Sequence, residues 1–421
     1  VSARVTRRGA LAGIATSAAA FAAPAVFAQA KPRVAVVGGG FAGATCARSL
    51  AAMGVAVTLI EADQRYVACP FSNLVLHGSR DIGQQTFGFE SVRKAGVDVV
   101  FARAERIDPE ARRVRLSQGE AIAYDRLVLA PGVDMRFDAL PGYDEAAAER
   151  MPHAWKAGTQ TVLLRKQLEA MEDGGVVVMS VPPNPFRCPP GPYERASLIA
   201  HYLKTHKPRS KLIVLDSKDT FSKQKLFLAA WQELYPNHLE WVSLAGGGKT
   251  IEVDARDLTV LTEFGRHKGA VVNVIPPQRA GAIAAASGLV DRSHWCPIDP
   301  VSFESRLAPN VHVIGDAAIA GAMPKSAFSA NAQAKHCALA IAMMLRGEQP
   351  AAPKLVNTCY SLVAPDYGIS VAGVYQPSKG LLADVDGAGG TSPGGTSREF
   401  RAREAVYADA WFKIITESVY G

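Results

Sequence analysis

From Arg33 onward, short apolar runs alternate with longer amphipathic stretches. Arg33–Val37 is a β-branched run, a glycine cluster follows, residues up to Met53 carry helical periodicity, and residues 55–60 are apolar again. This pattern predicts strand, turn, helix, strand. Two later apolar runs, residues 125–130 and 311–314, lead into Pro131-Gly132 and Gly315-Asp316, as strands ending in turns do. Between them, residues 175–181, a helical stretch over 193–203 and residues 211–216 predict a second strand–helix–strand unit. Two α/β units nested in this order predict one domain inserted into another. An Ala-rich helix over about residues 326–346 ends at Gly347, and Pro350 and Pro353 mark a boundary. Beyond it come Cys359, a Gly/Ser/Pro-rich stretch over 386–396 that reads as a mobile loop, and an aromatic segment over 407–420.

Residues 1–30 have a different pattern. Thr6-Arg7-Arg8-Gly9-Ala10-Leu11 precedes an uncharged Ala-rich run to Ala28 and a small-residue site, Ala28-Gln29-Ala30. This reads as a twin-arginine signal peptide, which predicts periplasmic export of an already folded protein with its cofactor inserted beforehand. The run is dominated by Ala and carries Pro24, unlike the ~20 strongly apolar residues of a span, so no stable membrane insertion is expected after cleavage.

With 421 residues, 48% hydrophobic and 20% charged, the chain is long enough for two or three domains of roughly 150 residues each and is neither disordered nor polytopic. Setting aside Arg4, Arg7 and Arg8 lowers the formal charge from +7 to +4. That charge is dispersed, without basic blocks interleaved with aromatics, so nucleic acid is not an expected partner. The six cysteines, Cys46, Cys69, Cys188, Cys296, Cys337 and Cys359, form no Cys-x-x-Cys or Cys-x-x-Cys-His, and no His-Glu-x-x-His is present. A local redox dithiol, a c-type haem on this chain and a zinc site are therefore not expected, and any disulfide must join distant segments.

Gly38-Gly39-Gly40-Phe41-Ala42-Gly43 directly follows a predicted strand and opens a helix. Gly38, Gly40 and Gly43 have the spacing that lets a backbone approach a pyrophosphate at a helix N-terminus, and Glu61 closes the next strand, where a carboxylate accepts from a ribose diol. Residues 127–132 and 313–316 resemble two later elements of the glutathione-reductase-like flavoproteins. That likeness implies FAD, with Pro131, Gly132 and Gly315 at the cofactor, Asp316 on the ribityl chain, and the next helix aimed at the isoalloxazine.

In the second unit, the position of a nucleotide turn reads Val181-Pro182-Pro183-Asn184-Pro185-Phe186-Arg187-Cys188-Pro189-Pro190-Gly191-Pro192. Six prolines and one glycine lack both the N–H donors and the φ freedom that a pyrophosphate requires. Cys188, in a proline cage with Glu194 nearby, suits either a sulfur-accepting thiol beside a proton-moving carboxylate or a buried structural cysteine, and the residues alone leave both open.

Taken together, residues 38–43, Tyr66-Val67-Ala68-Cys69-Pro70-Phe71-Ser72-Asn73, residues 186–196, residues 273–281, Met323-Pro324-Lys325-Ser326 and Asn357-Thr358-Cys359-Tyr360 resemble the flavoprotein subunit of flavocytochrome c sulfide dehydrogenases. The resemblance implies two Rossmann-type domains plus a small C-terminal α+β interface domain. Their expected bounds are 31–139 with 270–350 for FAD, 140–269 for an NAD(P)H-domain-like unit without a nucleotide motif, and 351–421 for the interface domain. It implies FAD joined covalently through Cys69, Lys325 among the cofactor-binding residues, Trp411 near the flavin, and a redox disulfide between Cys188 and Cys359 with Glu194 beside it. It also implies a heterodimer with a c-type cytochrome subunit that carries the haem. The expected activity is oxidation of sulfide to zero-valent sulfur or polysulfide, with electrons passing through FAD to that cytochrome. Cys46, Cys296 and Cys337 have no role in the pattern, and Cys46 and Cys337, within Ala-rich helices, read as core. Two alternatives share the scaffold: a sulfide:quinone oxidoreductase, and an accessory flavoprotein maintaining a thiosulfate-oxidising complex. An NAD(P)H-dependent disulfide reductase is disfavoured by the proline turn.

Overall fold

A computed structural model describes residues 32–421; the expected signal segment, residues 1–30, lies outside the described residues. Arg33–Val37 is buried at four of its five positions, so it has no solvent face and belongs inside a covered parallel sheet. It is the central strand of five, in the order Val311–Val313, Arg126–Leu129, Arg33–Val37, Ala56–Glu61, Asp98–Phe101, all parallel. Helices Phe41–Ala52 and Ala327–Leu345 pack against each other through small side chains. Ala44, Cys46, Ala47, Ala334, Cys337 and Ala338 are fully buried, and side chains of this size let two helices approach closely.

The inserted unit is a second parallel sheet, ordered Leu239–Val242, Lys211–Asp216, Val176–Val181, Val271–Val274. This corrects the expected return to the first domain at residue 270. Val271–Val274 pairs with Val176–Val181 and so completes the inserted sheet. The chain re-enters the first domain with Gln278–Ala280, which pairs antiparallel with Val133–Met135, so one two-stranded ribbon carries both crossings between the units.

The C-terminal region is a long antiparallel hairpin, Leu355–Ala364 with Tyr367–Ser378, extended by Leu381–Asp384 and covered by helix Arg398–Tyr420. Residues 386–396, expected as a mobile loop, are stitched down instead. Gly390–Thr391 pairs with the hairpin, and the buried Ser392 hydroxyl donates to the Glu404 carboxylate at 2.5 Å. Helix Arg398–Tyr420 runs back to the first domain, where the Tyr420 hydroxyl donates to the Gly39 carbonyl at 3.0 Å and the Arg48 guanidinium donates to the Val419 carbonyl at 3.2 Å. The last turn of the chain is thereby fastened to the glycine-rich turn.

Candidate functional site

A cavity of about 790 Å³ opens where the three regions meet, a size typical of small-molecule and cofactor sites. Its floor is the glycine turn. Gly38 has φ +97°, and a Cβ there would lie 2.3 Å from the Ala130 carbonyl oxygen, so only glycine fits. Gly38, Gly39 and Gly40 line the cavity, and helix Phe41–Ala52 starts from it with no side-chain cap and no acidic residue in its first turn. Those first N–H groups are the donors an anionic phosphate takes. Gly43 is not among the lining residues: its Cβ would strike the Gly38 carbonyl at 1.8 Å, so its part is packing of helix against turn. Glu61 lines the cavity and accepts from the Gly39 N–H.

Pro131, Gly132, Gly315 and Asp316 line the same cavity, together with Ser326, Ala327 and Phe328 at the start of helix Ala327–Leu345. Both helix N-termini therefore reach one space. The Gly315 N–H is held by the Gln333 side chain at 2.8 Å. Burial pushes the Asp316 carboxyl above its ordinary range, against the pull of Arg187 and Lys325. Three buried polar atoms on lining residues have no hydrogen-bond partner among the described residues: Asp316 Oδ1, Trp155 Nε1 and Trp411 Nε1. One acceptor and two indole donors around a glycine-floored cleft match the chemistry of FAD, which offers hydroxyls to a carboxylate and heteroatoms to N–H groups. Lys325 departs from expectation and is absent from the lining. Its ammonium donates to the carbonyls of Asp316 at 2.7 Å and Ala318 at 2.8 Å and lies over the Trp295 ring, so it braces the turn that presents Asp316.

Three of the cysteines line the cavity: Cys69, Cys188 and Cys359. Cys69 precedes Pro70 and lies with its Sγ 3.7 Å from the Trp155 carbonyl. Cys188 has φ +58°, the left-handed region that a non-glycine residue enters only under constraint. The constraint is visible: its N–H donates to the Lys325 carbonyl and its carbonyl accepts from the Gly191 N–H, both at 2.8 Å. A Cβ at Gly191 would lie 2.9 Å from Cys188 Sγ, which explains the one glycine of the proline turn. Cys359 comes from the C-terminal hairpin, where Asn357 ties its strand to Ser326 at 2.6 Å and Ser329 at 3.1 Å. All six cysteines are unpaired in the structure, and Cys46, Cys296 and Cys337 are fully buried away from the cavity.

Glu194, also lining, accepts from Asn73 Nδ2 at 2.8 Å and from the Leu362 N–H at 2.9 Å. Burial raises its carboxyl in spite of those bonds. Burial likewise pushes the Cys188 thiol well up, and the charges of Cys359 and Glu194 push it further. Cys359 is raised by burial and eased by the Lys223 ammonium. Two thiols and one carboxyl raised by burial thus line the same cofactor cleft.

The corresponding place in the inserted unit is filled. Asp216 ends its second strand, where a nucleotide-binding sheet presents a carboxylate to ribose. Here it is fully buried and accepts from the Tyr193 hydroxyl at 2.7 Å, Trp241 Nε1 at 3.0 Å and the Lys218 ammonium at 2.6 Å. Phe221 stacks on Tyr193. The acid is spent within the protein, and aromatic rings occupy the space beside it.

Sequence reasoning missed Arg187, Arg195 and Lys223. Arg195 is buried and donates to Asn73, His153, Ala154 and Asn273, joining the two α/β units beneath Cys188. Arg187, adjacent to Cys188 in the proline turn, lines the cavity and faces Cys69 and Asp316; its place beside a singled-out cysteine was the available signal.

Three family models match the chain: pyridine nucleotide-disulphide oxidoreductase over residues 32–170, the central part of the sulfide dehydrogenase [flavocytochrome c] flavoprotein chain over 161–276, and the flavocytochrome c sulphide dehydrogenase flavin-binding region over 351–420. A flavoprotein chain of sulfide dehydrogenase from Chlorobaculum thiosulfatiphilum is 51% identical over 45 residues, which is 94% of that sequence and 10% of this one. Mouse mitochondrial sulfide:quinone oxidoreductase is 25% identical over 306 residues, 67% of this chain, which spans 65% of that protein. Among solved structures, the sulfide:quinone oxidoreductase of Aquifex aeolicus superposes with TM-score 0.73 at 17% identity over 92% of both chains. The covalent putidaredoxin reductase–putidaredoxin complex gives 0.66 at 18%, over 92% of this chain and 93% of that one. These likenesses show the FAD-dependent two-Rossmann fold, and with the central and flavin-binding regions both matched, the chain belongs to the flavoprotein family of flavocytochrome c sulfide dehydrogenase.

Proposed function

We propose that the protein oxidises sulfide at the Cys188–Cys359 pair and passes the electrons through FAD to a c-type cytochrome subunit in the periplasm. The observation that carries this reading is the meeting of Cys188, Cys359 and Glu194 on the wall of the dinucleotide cavity. The filled place around Asp216 supports it, because a reductant other than a nicotinamide must then supply the electrons. Residues 38–40, Glu61, Pro131, Gly132, Gly315 and Asp316 would hold the cofactor, and the presence of Cys69 in the same lining supports a covalent link through it. The twin-arginine pattern of residues 1–30 supports periplasmic export, and the Chlorobaculum relative, by its name a flavocytochrome chain, supports haem on a partner subunit.

In the oxidised pair, hydrosulfide attacks one cysteine sulfur. The Cys188–Cys359 bond breaks, a new S–S bond forms to the incoming sulfur, and the other cysteine leaves as thiolate. Resetting the disulfide releases one zero-valent sulfur, two electrons and one proton. Glu194 takes the proton: it lines the cavity with both thiols, and burial shifts its carboxyl toward the protonated form. FAD, when bound, supplies the acceptor for the electron pair and the means of handing electrons on singly. The test is anaerobic reduction of the holoprotein by sulfide, followed by reoxidation in parallel by cytochrome c and by a soluble quinone. Preferential reoxidation by cytochrome supports the proposal, and preference for quinone moves the protein to the quinone-linked activity. No reduction by sulfide, with or without the cytochrome subunit, points to the accessory role.

A further inference from the structure

Lys223 has no part in the chemistry above, yet its ammonium is bonded to the backbone of Cys359 and feels the charge of both thiols. It sits just before helix Gln224–Leu234 of the inserted unit, with φ +62°, and is 7% exposed. Its Nζ crosses into the C-terminal sheet and donates to the Cys359 carbonyl at 3.1 Å, the Ser361 hydroxyl at 2.8 Å and the Ile369 carbonyl at 3.4 Å. All three acceptors are neutral, so among the described residues the buried charge has no direct counter-ion. Four ionisable groups face it: Cys359, Cys188, Glu194 and Glu404. Glu404 is already paired with Arg401 at 3.0 Å, and both Glu194 oxygens are engaged by Asn73 and Leu362. The groups whose negative charge is still to be made are the thiols, and Nζ is bonded to the backbone of one of them. Arg187 faces Cys188, but it also faces Cys69, Asp316 and Tyr66 and donates to the Trp155 carbonyl.

We propose that Lys223 is a positioning residue that makes Cys359 the thiolate of the pair, so that the incoming sulfur is taken up on Cys188. Resting on the sulfide reading, this gives the step a direction. Hydrosulfide bonds to Cys188 Sγ, the Cys188–Cys359 bond breaks, its electron pair leaves on Cys359 beside the ammonium, and the proton stays on the new persulfide. The greater elevation of the Cys188 thiol agrees with this order.

The test needs no sulfide. The FAD-loaded protein, reduced anaerobically with dithiothreitol, is alkylated with iodoacetamide across pH, and modification of each cysteine is followed by peptide mass spectrometry. In the wild type, the midpoint for Cys359 should lie below that for Cys188. In K223Q, Cys359 alkylation near neutral pH should slow about tenfold, as a one-unit shift requires, with a smaller change at Cys188. K223R should restore it, and S361A, which removes an anchor and leaves the charge, should not move it. A Cys188 midpoint below that of Cys359 in the wild type overturns the proposal without any variant, as does an unshifted Cys359 in folded, flavin-bearing K223Q. If sulfide fails to reduce the flavin while Cys359 remains the more acidic thiol, the role of Lys223 stands and the sulfide reading falls.

Discussion

The two α/β units of this chain share one frame and treat it in opposite ways. In the first, a glycine turn follows the strand, and the neighbouring strand ends in Glu61, whose carboxylate opens on the cavity. In the second, a proline turn follows the strand, and the neighbouring strand ends in Asp216, which is surrounded by Tyr193, Trp241 and Lys218. A nucleotide site is thus closed by three changes that reinforce one another: backbone donors removed by proline, the acid neutralised from within, and the crevice filled by rings. The proline turn then acquires another use, presenting Cys188 to the cofactor cavity of the other unit.

The comparison yields graded expectations. The largest effect belongs to the cysteines: Cys188→Ser or Cys359→Ser should slow sulfide-driven flavin reduction on the order of 10³-fold or more with FAD still bound, measured by stopped-flow absorbance. Gly38→Ala should attack the open unit directly. A Cβ 2.3 Å from a carbonyl oxygen at φ +97° should lower FAD affinity about a hundredfold, corresponding to about 3 kcal/mol in a binding titration. Glu194→Gln should slow turnover about a hundredfold while leaving both thiols alkylatable. In the closed unit, Asp216→Asn should leave flavin affinity unchanged and cost stability, about 3–5 kcal/mol, because it strands a buried ammonium; denaturant melts would show it. A gain of NADH binding in that variant would mean that the bonds around Asp216, and not the proline turn, keep the crevice closed.

The smallest expected effect concerns pH. Burial raises Asp316 above the ordinary carboxylate value. A raised carboxyl contributes its full stability below the ordinary range and loses it as pH rises through the raised value. In the cofactor-free protein, Asp316→Asn should therefore gain melting temperature relative to wild type as pH rises above the ordinary carboxylate range, while its flavin affinity falls.

The first unit was legible in the sequence because its conformation dictates its residues: no other side chain fits at Gly38, and a buried parallel strand must read as an unbroken apolar run. The inserted unit's proline turn was equally legible, since proline removes donors wherever it stands. Features resting on distant pairing were not. Val271–Val274 is an apolar run on either side of a boundary until its partner strand is known. The hairpin of the C-terminal region turns at Asp366 without a glycine, and the Gly/Ser-rich stretch after it reads as a loop because the Glu404 that fastens Ser392 arrives twelve residues later. Lys325 lies in the right motif with its ammonium turned to two carbonyls. Lys223 had no signal at all, since a left-handed lysine and a charge crossing between domains leave no mark on local pattern.

The most direct test of electrons entering at the cysteine pair and not at the inserted unit is anaerobic mixing of the holoprotein with sulfide and, separately, with NADH and NADPH, followed at the flavin band. Bleaching by sulfide alone, lost in Cys188→Ser, is the predicted result. Bleaching by either nicotinamide at a comparable rate, retained in Cys188→Ser, would contradict it.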